Sequence, residues 1–511
     1  MIRKATFHVL EELDLPFPVE LLATAVGRRR GAFVLDGTWG APAGSPGCVL
    51  VGAEPFLSLR ATRTGERSRA GRAIAHVVVA DESGIVRADV DDPLAVLRAL
   101  LAEHAVDTSV LVDRPLPFMG GAVGYVGYEV GQVLERLPNL PRTSSAPGMP
   151  DLAMFFHRWV LGTSRSAEKG KPKTWLSVIG RDALDAQRTR DGVMETIASF
   201  RPGSTDARRE TSGDLEAQMT RARVRAQLGR AAYVDRVRTA KRHIEDGDAF
   251  EICLTNALDA PFAGDPWTLW NELRRTNPAP MSAWLDLREG AVVSASPERF
   301  VRLDEQRAAE SRPIKGTRPR GTTAQEDARL AHDLASSEKD RAENSMIVDL
   351  VRNDLGKVCR FGSVTTPNLY EVEPHPNVHQ LVSTVRGELN PERDAIDLLR
   401  ACFPPGSMTG APKIEAMSIL ESLEPKERGV YAGALGFFDF AGPMDLSVVI
   451  RSAVVSRGRA SFSVGGAVVA DSDPETEHDE TLHKARGLVA VLAALARTDK
   501  QEQHVPLPIR S

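Results

Sequence analysis

Along the first 200 residues the apolar positions fall in short runs of strand length, the clearest at 47–52, 75–79 and 156–161. After about residue 221 the texture changes. Val234, Val237 and Ile244 recur at helical spacing and predict a helix over 230–246. Residues 249–258 read as a strand, and 282–287, 291–296 and 300–303 as a strand meander. Met346, Ile347, Leu350 and Val351 lie on one side of a helix predicted over 338–358. Strands follow around 431–439, 446–455 and 459–469, then a helix from about Pro474. Hairpin-linked strands with separate helices indicate an α+β chain, not an alternating βαβ one.

Three polar stretches break this pattern. Residues 136–150 are rich in Pro and Ser and read as a loop. Residues 163–173 contain a Gly-Lys-Pro turn suited to a hairpin tip, and 201–220 have almost no apolar content. These breaks divide the chain into an N-terminal region 1–205, a linker 206–225, a second region 226–497 and a mobile tail 498–511.

Composition narrows the function. The 511 residues are 42% apolar and 26% charged, which excludes a wholly disordered chain. Lys plus Arg number 64 and Asp plus Glu 69, giving a net charge of −5 with no basic field for nucleic acid. Cys48, Cys253, Cys359 and Cys402 form no CxxC pair, so neither a disulfide framework nor a zinc ribbon is expected. Glu11 and Glu12 interrupt the N-terminal apolar segment, and the apolar run 487–496 is about half a membrane span. The expectation is a soluble cytoplasmic protein, bound to neither membrane nor nucleic acid.

Three segments carry candidate chemistry. The stretch Ser311 to Gly321 packs Arg312, Lys315, Arg318 and Arg320 with two glycines and two prolines. Such a loop directs the backbone while letting a ligand approach it. A lysine partly desolvated beside Ile314 would have a lowered pKa and a nucleophilic amine. The helix start at 338–344 carries Glu343. In 471–480, Asp473 and Pro474 make a cap and first-turn pair. Glu477, Glu480 and Lys484 then share one helical face. Carboxylates so placed suit Mg²⁺. The strand end at Gly465 and Gly466 would offer bare backbone N–H groups to an anion.

With these features in order, the sequence resembles the chorismate-utilising enzymes. Phe118-Met119-Gly120-Gly121 with Tyr128-Glu129 is similar to their N-terminal signature. From about 231 to 495 the likeness is nearly continuous. It includes Ser296-Pro297-Glu298-Arg299-Phe300, the Lys315 loop, Ala342-Glu343-Asn344, Arg352-Asn353-Asp354-Leu355-Gly356, Phe403-Pro404-Pro405-Gly406, Gly410-Ala411-Pro412-Lys413 and Ile450-Arg451.

The resemblance implies two large antiparallel sheets packed as a sandwich, with helices outside and the active site between the sheets. It implies that Glu298 protonates the departing C4 hydroxyl of chorismate and that Glu343, Glu477 and Glu480 hold Mg²⁺. Thr317, His379, Gly410, Tyr431, Arg451, Gly465, Gly466 and Lys484 are implied to line the substrate pocket. Lys315 stands where anthranilate- and isochorismate-forming members have alanine, which points to the branch that aminates C4 through a covalent lysine adduct. Glu251 stands where the water-using members carry a general-base lysine. None of the four cysteines sits in the Gly-rich elbow of a glutamine-hydrolysing site. Ammonia is therefore expected from a separate glutamine amidotransferase subunit or from solution. Residues 32–37 sit where some relatives bind tryptophan.

Overall fold

The computed structural model describes residues 7–15, 19–41, 47–106, 114–138, 143–144, 146–164, 172–200 and 213–502. Two 12-stranded antiparallel sheets dominate it, confirming the α+β sandwich. The first sheet has at its centre Cys48–Gly52, Phe33–Gly37, Met281–Leu287, Gly290–Ser296, Ser452–Ser456, Arg459–Val468 and Glu251–Pro261. The second runs from Ile314–Pro319 through Val378–Glu388, Ala308–Ser311, Arg299–Leu303, Met444–Val448, Ala434–Asp439, Gly121–Val126 and Leu152–His157 to the edge strand Gly84–Asp91.

The period-two alternation of strands explains the layers. In Met281–Leu287, Met281, Ala283, Leu285 and Leu287 join the core between the sheets, with Leu35, Leu50, Tyr125, Phe437 and Leu446. Trp284 points the other way, into a second core beneath the helices Val19–Val26, Pro266–Thr276 and Pro474–Glu502. The helices thus cover the outer face of the first sheet.

Strands from both sides of the 206–225 break interleave in both sheets. Phe33–Gly37 pairs with Met281–Leu287, Leu35 facing Ala283. Gly121–Val126 pairs with Ala434–Asp439, Val123 facing Phe437. Within the expected linker, Leu215–Ala222 is a helix. Asp214 caps it by accepting from Ala217 N, and Leu215 and Met219 pack against the outer core. Its few apolar residues suffice because a helix needs only one buried stripe. Residues 201–212 and the end of the tail, 503–511, lie outside the described residues, as does the hairpin tip at 165–171. The strands flanking that tip pair antiparallel, as expected.

Two apolar runs predicted as single strands are corners. Residues 156–161 divide between Leu152–His157 in the second sheet and Trp159–Ser164 in the first. Residues 446–455 divide likewise into Met444–Val448 and Ser452–Ser456. Both halves are buried, so apolarity runs unbroken through the turn. At the second corner Arg451 takes φ 50°, the left-handed conformation that redirects the chain. Pro297 and Glu298 form a third such corner, between Gly290–Ser296 and Arg299–Leu303. These last two corners are tied together. Val448 N donates to Glu298 O at 3.0 Å, Ala295 N to Arg451 O at 3.2 Å, and Ser296 Oγ to Val448 O at 2.6 Å.

Candidate active site

Lys315 lies not on a loop but in the edge strand Ile314–Pro319 of the second sheet. Its pairing with Val378–Glu388 slips between Ile314 and Thr317, so Lys315 and Gly316 form an irregularity that re-aims the lysine. Gly316 has φ 77°, and a Cβ there would meet Asp340 Cγ at 2.8 Å. Arg318 binds Asp340 Oδ2 at 3.0 Å, fastening this strand to the start of the helix Glu338–Gly356.

Across the gap, Lys315 Nζ donates to Glu251 Oε1 at 2.7 Å. Glu251 is wholly buried at the start of Glu251–Pro261 in the first sheet, so this pair bridges the two sheets. Its Oε2 is buried with no hydrogen-bond partner. Burial opposes the lysine's charge, but Glu251 and Glu343 outweigh it and hold the ammonium above its ordinary pKa. The expected lowering of the Lys315 pKa is therefore reversed. Burial alone would favour the neutral amine, but two carboxylates distant in the chain meet the lysine only in the fold.

Glu298, at its corner, is 5% exposed. Burial raises its pKa from 4.5 to about 7, against the opposing pull of a Ser407 hydrogen bond, the Lys315 charge and the Ile314 backbone. A carboxyl poised there can hold a proton and give it up near neutral pH. A small cleft adjoins it, lined in part by Ser407, Pro313, Ile347 and Val448.

Burial raises the pKa of Glu343 and of Glu477. Lys339 lies 3.9 Å from Glu343 and also acts on Glu477, and Glu480 repels Glu477 from the next turn. Among the described residues no three acidic, His or Cys side chains converge closely enough to hold a metal by themselves. Glu343 is carried by the helix Glu338–Gly356, whereas Glu477 and Glu480 are carried by Pro474–Glu502. The helix start behaves as its sequence implied, with Asp473 accepting from Thr476 N at 2.8 Å.

Gly465 and Gly466 do not end a strand. They pair with Thr255 and Leu254 within Arg459–Val468. The glycine at 466 makes room for Glu477, whose Oε2 would lie 2.7 Å from a Cβ there. Lys484 donates to Gly465 O at 2.9 Å. Gly410, at φ 137°, pairs with Ile252, and a Cβ would strike Glu251 O at 2.0 Å. Only glycine lets this segment lie against the strand that carries Glu251. Thr317 is exposed two residues beyond Lys315. His379, which faces Arg318 across the strand pair, is 4% exposed. Its Nε2 lies 2.9 Å from Asp327 Oδ1, and its Nδ1 is buried without a partner. Tyr431 is buried near Cys253, which itself lies within reach of the Lys315 charge. Arg451 reaches solvent, yet the walls around it strip enough water to lower its pKa.

Several residues have a place in the site for which the sequence suggested no role. Arg428 is 2% exposed and donates to Glu424, Met408 O and Cys253 O, joining the segments that carry Gly410 and Glu251. Lys339 had a legible signal, its i, i+4 spacing to Glu343. Ser407 and Asp327 had none, since each reaches its partner across the fold.

The profile of the chorismate binding enzymes matches residues 56–490. The chain is 38% identical over 402 residues to aminodeoxychorismate synthase component 1 of Escherichia coli, covering 79% of this chain and 83% of that protein. It is 39% identical over 419 residues to anthranilate synthase component 1 of Streptomyces coelicolor, covering 80% and 78%. The crystal structure of anthranilate synthase component I from Streptococcus pneumoniae superposes with a TM-score of 0.71 at 29% identity, covering 88% of this chain and 93% of that one. Among the described residues no helix is long and apolar enough to cross a membrane. The profile match, the identities and the shared two-sheet fold agree: this chain belongs to the family of chorismate binding enzymes.

Proposed function

We propose that this enzyme converts chorismate and ammonia to 4-amino-4-deoxychorismate, through an adduct on Lys315. The observation that carries this reading is the largely enclosed Lys315 amine, within electrostatic reach of Glu298 and in contact with Glu251. An amine there can attack C2 of the ring as Glu298 protonates the C4 hydroxyl, which leaves as water. Ammonia then attacks C4, and the lysine departs from C2. A positioned acid contributes typically about 10²–10⁴-fold to such a step. Arg451, free of ion pairs among the described residues, suits a substrate carboxylate.

The donor chemistry of Glu343, Glu477 and Glu480 fits Mg²⁺, a hard cation that takes one or two carboxylates and completes its shell with substrate oxygens and water. Burial raises the proton affinity of Glu343 and Glu477, so a divalent cation relieves repulsion at both. Bound there, it supplies charge neutralisation and orientation for the ring carboxylate. Ammonia comes from a separate glutamine amidotransferase subunit, in keeping with the "component 1" designation of the E. coli relative.

The anthranilate-forming reading draws on the relatives from S. coelicolor and S. pneumoniae. The two part at the product. Purified enzyme with chorismate, Mg²⁺ and ammonium at pH 8 is expected to yield the 4-amino compound by chromatography. Anthranilate as the main product overturns the proposal. Adding a glutaminase subunit with glutamine is expected to replace ammonium.

A further inference from the structure

Glu251 holds Lys315 with one carboxylate oxygen and keeps the other buried and unpartnered. Its strand is held on both flanks, by Gly410–Ala411 on one side and Arg459–Val468 on the other, and the residue itself is wholly buried. A carboxylate oxygen left without a donor in the interior is costly, and the cost is smaller when the group takes up a proton and becomes neutral.

We propose that Glu251 is the internal proton acceptor that converts the Lys315 ammonium into the attacking amine. This rests on the reading of Lys315 as nucleophile. The ammonium passes one proton along the existing hydrogen bond to Glu251, leaving a neutral amine and a carboxylic acid. When substrate excludes water, the ion pair loses solvation and the neutral pair becomes accessible. The amine lone pair forms the bond to C2. The ring double bonds shift, the C4–O bond breaks, and the hydroxyl leaves as water with the proton of Glu298. In the second half ammonia bonds to C4 and the C2–N bond to lysine breaks. The new C4 ammonium returns a proton to Glu298, and Glu251 returns its proton to the lysine. Every proton and charge is restored, and the net change is ammonia in and water out.

The groups facing Lys315 are Glu251 and Cys253 on one strand, Glu343 on the helix Glu338–Gly356, and Glu298 at the corner. Asp340 is occupied by Arg318. Only Glu251 forms an ion pair with the lysine among the described residues.

The test is the rate at which chorismate less water becomes attached to Lys315, by rapid quench and intact mass, with Mg²⁺ present. Ammonia is left out, so that its own titration does not enter. Transfer within the pair leaves the number of bound protons unchanged. The wild-type rate is therefore expected to be flat from pH 5.5 to 7. In Glu251→Gln the proton must leave to solvent. The rate at pH 6 is expected to fall roughly 10²-fold, then rise about tenfold per pH unit up to pH 7. Glu251→Asp keeps an acceptor and is expected to restore the flat profile at a lower rate. A Glu251→Gln profile parallel to wild type overturns the proposal, because a purely structural role lowers the rate without changing its slope. Should that variant fail to fold, a Glu251→Asp profile that rises tenfold per unit overturns it equally. Absence of any adduct in the wild type overturns instead the reading of Lys315 as nucleophile.

Discussion

Replacing Glu298 by Gln separates stability from catalysis at one atom. A carboxyl with a pKa of about 7 in the fold, against 4.5 ordinarily, is harder to ionise folded than unfolded. Between those values the native state binds more protons, so stability falls as pH rises. The rise corresponds to about 3 kcal/mol, which the wild type forfeits once pH is well above 7. Gln keeps the shape and an oxygen for Ser407 but never ionises. Glu298→Gln is therefore expected to be more stable than wild type by just under about 1 kcal/mol at pH 5 and by about 3 kcal/mol at pH 8.5. Chemical denaturation at the two pH values, followed by tryptophan fluorescence, measures the gap. Activity moves the opposite way, falling about 10²–10⁴-fold because no proton is available to the leaving hydroxyl. In the wild type the acid-dependent step is expected to slow tenfold per unit above pH 7. A stability gap of equal size at both pH values would refute the reasoning, since it would mean that the carboxyl at this corner is not held neutral.

Three further outcomes follow from the same geometry. Lys315→Ala is expected to lose the 4-amino product below detection and to permit amination at C2, as chromatography of the chorismate and ammonium reaction would reveal. Gly410→Ala combines a positive φ with a clash against Glu251 O, so it should cost at least about 3 kcal/mol and lower activity with it, read by thermal unfolding and product formation together. Arg428→Ala takes away the counter-charge buried beside Glu424 and should destabilise by about 3–5 kcal/mol, measured by denaturant titration.

The chemistry was more legible than the architecture. Glu298, Lys315 and Glu343 stand in short motifs whose residue types suit an acid, a nucleophile and a metal ligand. The charge state of Lys315 was not legible, because Glu251 lies 64 positions away and meets it only across the gap between sheets. Strands were recognised by their apolar runs, but membership of a sheet was not. The corners at 156–161 and 446–455 are apolar on both sides, so nothing in their hydropathy marks where the chain changes layer. Helix Leu215–Ala222 escaped notice for the opposite reason, since its local sequence is mostly polar and only its capped start and buried stripe stabilise it.

The interleaving of early and late strands has a consequence for how the chain is made. Phe33–Gly37 leaves the ribosome long before Met281–Leu287, the neighbour it pairs with in the finished sheet. At roughly 5–20 residues per second that strand waits on the order of 10–50 s with one edge unsatisfied. Gly121–Val126 waits longer still for Ala434–Asp439. Neither sheet can close until synthesis is nearly complete, so the nascent N-terminal half carries unpaired strand edges throughout translation. A ribosome stalled before residue 281 would release an aggregation-prone fragment, not a smaller folded protein.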